Sequence, residues 1–343
     1  MNSVIITGAT GFVGSHITEY FLKKKVEVGC IARKSSDLSA IKGLPVEINI
    51  CDISDLIGIT KATKGYDCVI HNCAKACDWG DYQDFYNTNV EGTLNVLQAC
   101  KVNGITNVVL TGSISVYGEE NWEKVKDESF PYNSHYKYFL DSVFPCAMNY
   151  YRDTKAIAQE KAINYARENN LNLTVINPVW VYGEREFNTG FYDYTKTASS
   201  GIMLFPGSSK NNFHVIYAKD LARFFYLTYK KQLKGVNVFI AGNEKVEKMD
   251  KIFGLFCKEA GVKKPYNIPK VLVYPLAFLL ELLYTFFESK KPPLLTRGRV
   301  NMFYDNIEYS VKKAEEILGF KNEYSLEEGI RKTIQWYKKE KLL

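Results

Sequence analysis

A doubly wound α/β fold is predicted by three observations. Short apolar runs recur along the first half of the chain, helical stretches separate them, and the first run leads into a glycine-rich turn that opens a helix. The first run is Val4-Ile5-Ile6. The turn is Thr7-Gly8-Ala9-Thr10-Gly11-Phe12-Val13-Gly14, and the stretch 12–24 after it reads as a helix. Later apolar runs at 26–32, 46–50, 68–71, 108–111 and 173–176 read as buried parallel strands. Beyond Pro178 the alternation loosens. Segments near 190–210 and 244–296 read as helices and loops, with short returns to the sheet near 213–216 and 236–240.

The glycine turn sits in the strand–turn–helix context of a dinucleotide fingerprint. Gly8 allows the tight turn, Gly11 lets backbone approach a pyrophosphate, and Gly14 lets the helix pack close to the strand. The helix N-terminus then faces the phosphates, where its dipole and free N–H groups favour negative charge. Well downstream, Tyr151 and Lys155 lie four apart in the helical stretch 150–168, hence on one face. A free tyrosine has a pKa of about 10, too high for easy proton exchange at neutral pH. A neighbouring ammonium stabilises the phenolate and lowers that value. With 24 tyrosines and 44 Lys plus Arg in the chain, such a pair also arises by chance, so its weight comes from its position.

Further motifs run nearly end to end. They include Cys51-Asp52, Val69-Ile70-His71-Asn72-Cys73-Ala74, Asn89-Val90-Glu91-Gly92-Thr93 and Leu110-Thr111-Gly112-Ser113-Ile114-Ser115-Val116-Tyr117-Gly118. Asn177-Pro178-Val179-Trp180-Val181-Tyr182-Gly183 and Phe213-His214-Val215-Ile216-Tyr217-Ala218-Lys219-Asp220 follow. With the glycine turn and the Tyr–Lys pair, the chain resembles an extended short-chain dehydrogenase/reductase of the NAD-dependent epimerase/dehydratase superfamily. Within it, the nearest likeness is to the 3β-hydroxysteroid dehydrogenase and dihydroflavonol reductase-like branch. The resemblance implies a Rossmann domain over 1–178, with sheet returns near 213–240, and a smaller, discontinuous, mostly α-helical substrate subdomain over 179–343. It also implies a homodimer.

The same resemblance implies roles. Ser113 would bind the substrate oxygen, Tyr151 would handle its proton, and Lys155 would serve both Tyr151 and the cofactor ribose. Asn89 would steady the active-site helix or a water relay; a plain helix N-terminal residue is the competing reading. Gly8, Thr10, Gly11, Phe12, Val13 and Gly14 would hold the pyrophosphate, and Ala74 would line the cofactor site at the end of the fourth strand. Asp52 would accept from the adenine amino group with Ile53 behind the ring, although Asp52 also reads as a helix-start carboxylate beside Ser54-Asp55. Pro178 and Val181 would lie against the nicotinamide carboxamide. His71 reads as a packed strand-end histidine. The dehydratase members carry an acidic pair after the serine; Ile114 and Ser115 stand there, which sets dehydration aside.

The second strand is followed by Arg33-Lys34-Ser35-Ser36, with no carboxylate until Asp37. NAD enzymes place an acidic residue at that point to accept from the ribose. Arg33 can instead pair with a 2′-phosphate through its planar fork, which predicts NADP(H) over NAD(H). A solvated Arg-Lys turn is the alternative.

Composition agrees. The 343 residues are 46% hydrophobic and carry a net charge of +6, spread in short clusters with no nucleic-acid motif. Eight cysteines show no metal spacing; Cys30, Cys51, Cys68 and Cys100 fall in apolar element positions and read as small core residues. No metal site is expected, and with no signal peptide the reduced cytoplasm is the expected compartment. The most apolar stretch, 271–287, carries Pro275 and Glu281 and is too short to span a bilayer. It reads as a subdomain helix covering a substrate pocket, or as a surface helix in peripheral contact with membrane.

These features predict hydride transfer between a nicotinamide and the carbonyl or secondary alcohol of a fairly apolar small molecule, steroid-like or 3-keto acyl. The alternative is a nucleotide-sugar 4-epimerase. Epimerases often hold the diphosphate with an arginine just before the Phe-x-x-Val segment, where Lys210-Asn211-Asn212 stand here. A non-catalytic nucleotide sensor is disfavoured because Ser113, Tyr151 and Lys155 are all present.

Overall fold

The computed structural model describes residues 2–118, 124–186 and 190–343. Seven parallel strands form the central sheet. Six are β1 (Ser3–Thr7), β2 (Glu27–Ala32), β3 (Glu47–Ile50), β4 (Cys68–His71), β5 (Asn107–Thr111) and β6 (Asn172–Pro178). The order runs Val236–Ala241, β6, β5, β4, β1, β2, β3. The chain leaves β1 in one direction and returns at β4 on its other side, so a crevice opens between them at the carboxyl ends.

Pleating sorts the strand residues into two cores. Val4 and Ile6 face a cluster filled by Ile17 and Phe21 of α1 (Phe12–Lys23) and by Leu221 and Phe224 of the helix Ala218–Lys231. Ile5 faces the opposite cluster, built with Ile59 of α2 (Leu56–Thr63), Val96 and Leu97 of the helix Gly92–Val102, and Ala162 of the helix Ala147–Glu168. Two covered faces explain the continuous apolar runs.

Two expectations need correction. The run at 46–50 forms a strand but is not buried: Ile48 and Ile50 are 39% and 56% exposed because β3 is the sheet edge. The 213–216 segment does not return to the central sheet. Val215–Tyr217 pairs with Trp180–Tyr182 in a separate two-stranded sheet, and Asn212–Phe213 pairs with Glu247–Lys248. The position beside β6 is already filled by Val236–Ala241 over six residue pairs.

Past Pro178 the first core continues into an aromatic cluster. Phe191 stacks on Phe256 at 4.6 Å, and Tyr194 on Phe253 at 3.8 Å. The helix Lys270–Phe286 stands apart from that core. It buries only a narrow stripe of Val273, Ala277 and Glu281.

Candidate active site

The turn after β1 is shaped by contacts that leave no room for a side chain. Gly8 has φ +68, and a Cβ there would come within 2.9 Å of the Cys73 backbone at the end of β4. A Cβ on Gly14 would lie 2.0 Å from the Gly8 carbonyl oxygen. Gly11 caps α1 without a side-chain hydrogen bond, so the first-turn N–H groups have no side-chain oxygen from the cap residue. Thr10 and Phe12 are half-buried beside the turn, and Val13 packs on the core.

Around the crevice the sheet ends bring other expected residues together. Arg33, Asp52 and Lys155 all lie close enough to influence the Cys73 thiol electrostatically, while burial pushes that thiol up. Arg33 is exposed, and its backbone N–H donates to Ser36 Oγ. Asp52 Oδ1 accepts from the Ser54 N–H and hydroxyl at 2.9 and 2.8 Å, while Asp55 caps α2. Ile53 is 7% exposed and packs beneath Gly92. Ala74 is half-buried in the loop after β4. Pro178 ends β6, and Val181 lies half-buried in the short strand beyond it.

Tyr151 and Lys155 share the helix Ala147–Glu168, one turn apart. Lys155 is buried, and its ammonium donates to the Thr111 carbonyl at 2.7 Å. Burial lowers its pKa to about 8. Ser113 begins the helical turn Ile114–Tyr117 just past β5. Its Oγ accepts from the Ser115 N–H at 3.2 Å and the Ser115 hydroxyl at 2.9 Å. Two accepted bonds leave the Ser113 hydroxyl hydrogen to be donated elsewhere.

Asn89 lies in a π-helical turn, Asn87–Glu91. Its Oδ1 accepts from the Lys75 N–H at 2.7 Å and its Nδ2 donates to the Thr154 hydroxyl at 3.0 Å. It thereby ties the loop after β4 to the helix that carries Tyr151. A buried chain of hydrogen bonds leads to it. Thr93 donates to the Asn89 carbonyl, so Thr93 Oγ1 accepts from His71 Nε2 at 3.0 Å, and His71 Nδ1 accepts from Thr7 Oγ1 at 2.7 Å. Burial, with the nearby Lys155 charge, lowers the His71 pKa to about 3, so the ring stays neutral as a packed strand-end group.

Sequence reasoning left two residues without a role. Asn177 is fully buried; its Oδ1 accepts from the Ser113 N–H at 2.8 Å and its Nδ2 donates to the Tyr117 hydroxyl at 3.1 Å. A Cβ on Gly112 would lie 1.8 Å from that Oδ1, so the glycine before Ser113 is the mark this contact leaves in the sequence. Ser115, considered only as a missing acid, orients Ser113.

The sequence profile of the NAD dependent epimerase/dehydratase family matches residues 4–242. The chain belongs to that family. It is 25% identical to the N-acetyl-alpha-D-glucosaminyl-diphospho-ditrans,octacis-undecaprenol 4-epimerase of Escherichia coli O157:H7, over 98% of this chain and 95% of that protein. It is 24% identical to the 2-alkyl-3-oxoalkanoate reductase of Stenotrophomonas maltophilia, over 96% of this chain and 97% of the relative. It is 26% identical to the sterol-4-alpha-carboxylate 3-dehydrogenase, decarboxylating, of Mus musculus, over 96% and 89%. Among solved structures, gox2253 superposes with a TM-score of 0.79 at 24% identity, covering 99% of both chains. The UDP-glucuronic acid 4-epimerase from Bacillus cereus, in complex with NAD, gives 0.76 at 19% identity over 98% and 99%. Those likenesses establish the fold: a seven-stranded Rossmann sheet of the extended short-chain dehydrogenase/reductase kind.

Proposed function

We propose that the protein is an NADP(H)-preferring oxidoreductase for the carbonyl or secondary alcohol of a fairly apolar molecule, steroid-like or 3-keto acyl. The observation that carries this reading is the group at the end of β5: a Ser113 hydroxyl positioned by Ser115 and Asn177, beside a helix presenting Tyr151 and the Lys155 ammonium.

The cradle fits a dinucleotide. Residues 8–14 would hold the pyrophosphate at the N-terminus of α1, and Arg33 a 2′-phosphate. Asp52 would face the adenine, and Ala74, Pro178 and Val181 would flank the nicotinamide side. When bound, the cofactor supplies the hydride. Tyr151 passes its phenolic proton to the carbonyl oxygen as negative charge grows there, and Ser113 donates a hydrogen bond to the same oxygen. Lys155 keeps the phenol acidic and holds the ribose. Asn89 is a positioning residue that fixes the Tyr151 helix through Thr154. In this reading residues 1–178 bind cofactor and 179–343 shape the substrate site. The eight free thiols fit a reducing compartment such as the cytoplasm.

A nucleotide-sugar 4-epimerase is the second reading, favoured by the undecaprenol-linked relative. Charge in the C-terminal lobe weighs against it. Arg297 is paired with Glu281 at 2.5 Å, and Arg299 grips both oxygens of Asp78 at 2.5 and 2.9 Å. Asn211, before Phe213, is fully buried and donates to the Asp305 carbonyl. None of these groups is free to take a diphosphate. The experiment follows nicotinamide absorbance across a panel of ketones and nucleotide sugars. Net oxidation in proportion to product, on an apolar carbonyl, is expected. Tightly retained cofactor, no net redox and interconversion of a nucleotide sugar would transfer the chain to the second reading.

A further inference from the structure

The helix Lys270–Phe286 is inverted with respect to water. Its inward stripe holds a carboxylate, Glu281, locked to the fully buried Arg297. Its outward arc holds Leu272, Leu276, Leu279, Leu283 and Phe286, which are 66%, 50%, 55%, 53% and 80% exposed. At 100° per residue these five fall within one arc of about 80°. Val271 and Leu282 widen that arc on one side and are 75% and 37% exposed. Between Lys270 and Phe287 the only charged residue is Glu281, and it points inward. The face continues onto the neighbouring segment, where Phe139 and Val143 are 57% and 80% exposed and the Phe139 ring meets Phe278 at 5.3 Å. An unbroken face of this kind exceeds the scattered apolar exposure of an ordinary surface.

We propose that this face docks in the plane of an anionic lipid bilayer surface. Charge decides the occupant. Lys270 and, past the other end, Lys290 and Lys291 flank the helix, and Lys137 lies two residues before Phe139; the exposed acids Glu288 and Asp81, the latter two residues after Trp79, are fewer. Lys270 lies over the Tyr274 and Tyr304 rings at 5.9 and 6.0 Å. At the other end the Trp79 ring meets Tyr284 at 6.5 Å. An apolar face with lysines and amphipathic rings at its rim is the arrangement of a helix lying at the headgroup boundary. No helix among the described residues is long and apolar enough to cross a membrane, so the contact is in-plane. A second copy of the chain fits less well. A two-fold pairing across this helix, parallel or antiparallel, sets lysine-bearing ends against each other.

Docking would bring the site to the lipid. Glu281 Oε1 accepts from the Cys146 thiol at 3.6 Å, and Cys146 caps the helix that carries Tyr151. The inward side of the docking helix therefore lies beside the N-terminal end of that helix, and an apolar substrate could reach the site from the bilayer. That last step rests on the reading above; the docking itself does not.

The test is flotation of the purified full chain with vesicles of phosphatidylcholine containing about one-third phosphatidylglycerol. The wild type is expected to float, and to float less with pure phosphatidylcholine. Leu279→Asp/Leu283→Asp should reduce vesicle binding roughly tenfold or more, with melting and NADPH binding unchanged. Lys290→Glu/Lys291→Glu should weaken binding to anionic vesicles alone. A wild type that does not float, or apolar-face variants that float equally, overturns the proposal. So does a wild-type dimer that Leu279→Asp/Leu283→Asp converts to monomer by light scattering without any vesicle binding. None of these readouts uses turnover, so a wrong reaction assignment leaves the result intact.

Discussion

At the residue scale the chemistry rests on one proton and one phosphate. Tyr151→Phe removes the phenolic proton and leaves the helix, Lys155 and the glycine turn in place. Turnover should fall roughly 100-fold or more, the usual scale for a general acid, while NADPH binding measured by fluorescence is retained. Near-normal turnover would remove Tyr151 from the chemistry. Arg33 stands exposed at the end of β2, with the Ser36 side chain held to its own backbone. Arg33→Ala should weaken NADPH far more than NADH, because only the phosphate loses a charge partner. Equal losses in two titrations, or tighter NADH binding by the wild type, would make Arg33 a surface residue. The glycine turn and the Tyr–Lys spacing were legible because each is a local pattern. The support for Ser113 was not: Asn177 arrives from β6, 64 residues away, and only Gly112 hints that something presses against the chain there.

At the element scale the helix Lys270–Phe286 is held by a small apolar seam of Val273 and Ala277 on Val300, and by an ion pair. Arg297 donates to both oxygens of Glu281 through its backbone N–H and Nε, and to the Phe139 and Phe144 carbonyls through its guanidinium. Removing one partner strands the other in a buried place. Glu281→Leu should lower unfolding free energy by about 3 kcal/mol or more, read from urea denaturation. Glu281→Leu with Arg297→Met should recover most of that loss, since neither charge is then left unpaired. A double variant as unstable as the single one would show that the pair holds the helix by its shape, not its charge. The sequence reading of 271–287 weighed a pocket-covering helix against a membrane surface helix. Hydropathy could not show which side was buried, because the decisive contact is to Arg297, beyond the helix itself.

At the scale of the whole molecule three neutral histidines set the acid limit. His71, His16 and His214 are buried, with pKa values lowered to about 3, about 4 and about 4, in each case chiefly by burial. Each ring accepts one hydrogen bond: from Thr7, from Arg185 and from the Tyr309 N–H. Protonation would set donor against donor. The folded values lie below the unfolded 6.5, so the unfolded chain binds more protons as pH falls and stability drops from about 6.5 downward. By pH 5 each histidine accounts for up to about 2 kcal/mol. His135 acts the other way, raised by its bond to Asp153 but exposed, and so do the carboxyls that burial raises: Glu186, well above its usual value, with Glu128, Asp193, Asp220 and Glu281. The urea midpoint should fall between pH 7 and pH 5, the three histidines outweighing these groups. An unchanged midpoint would mean that the three sites relax or take up water on protonation, or that the carboxyls offset them.

The alternating runs by themselves determined the parallel sheet, the turn at its first strand and the helix with Tyr151 and Lys155, because each is written in residues close together in the chain. The period of a strand or helix is a local property, and so is a glycine forced by its own turn. Only the tertiary structure decided which run lies at an edge, and there Ile48 and Ile50 of β3 lie exposed. It alone decided that 236–241, not 213–216, extends the sheet, since strand choice depends on which edge is already filled. It alone turned Glu281 inward and the leucines outward, since a charge goes where its partner waits and Arg297 is supplied by another element. Period and composition are local, whereas neighbours across the fold are not, and burial is set by those neighbours.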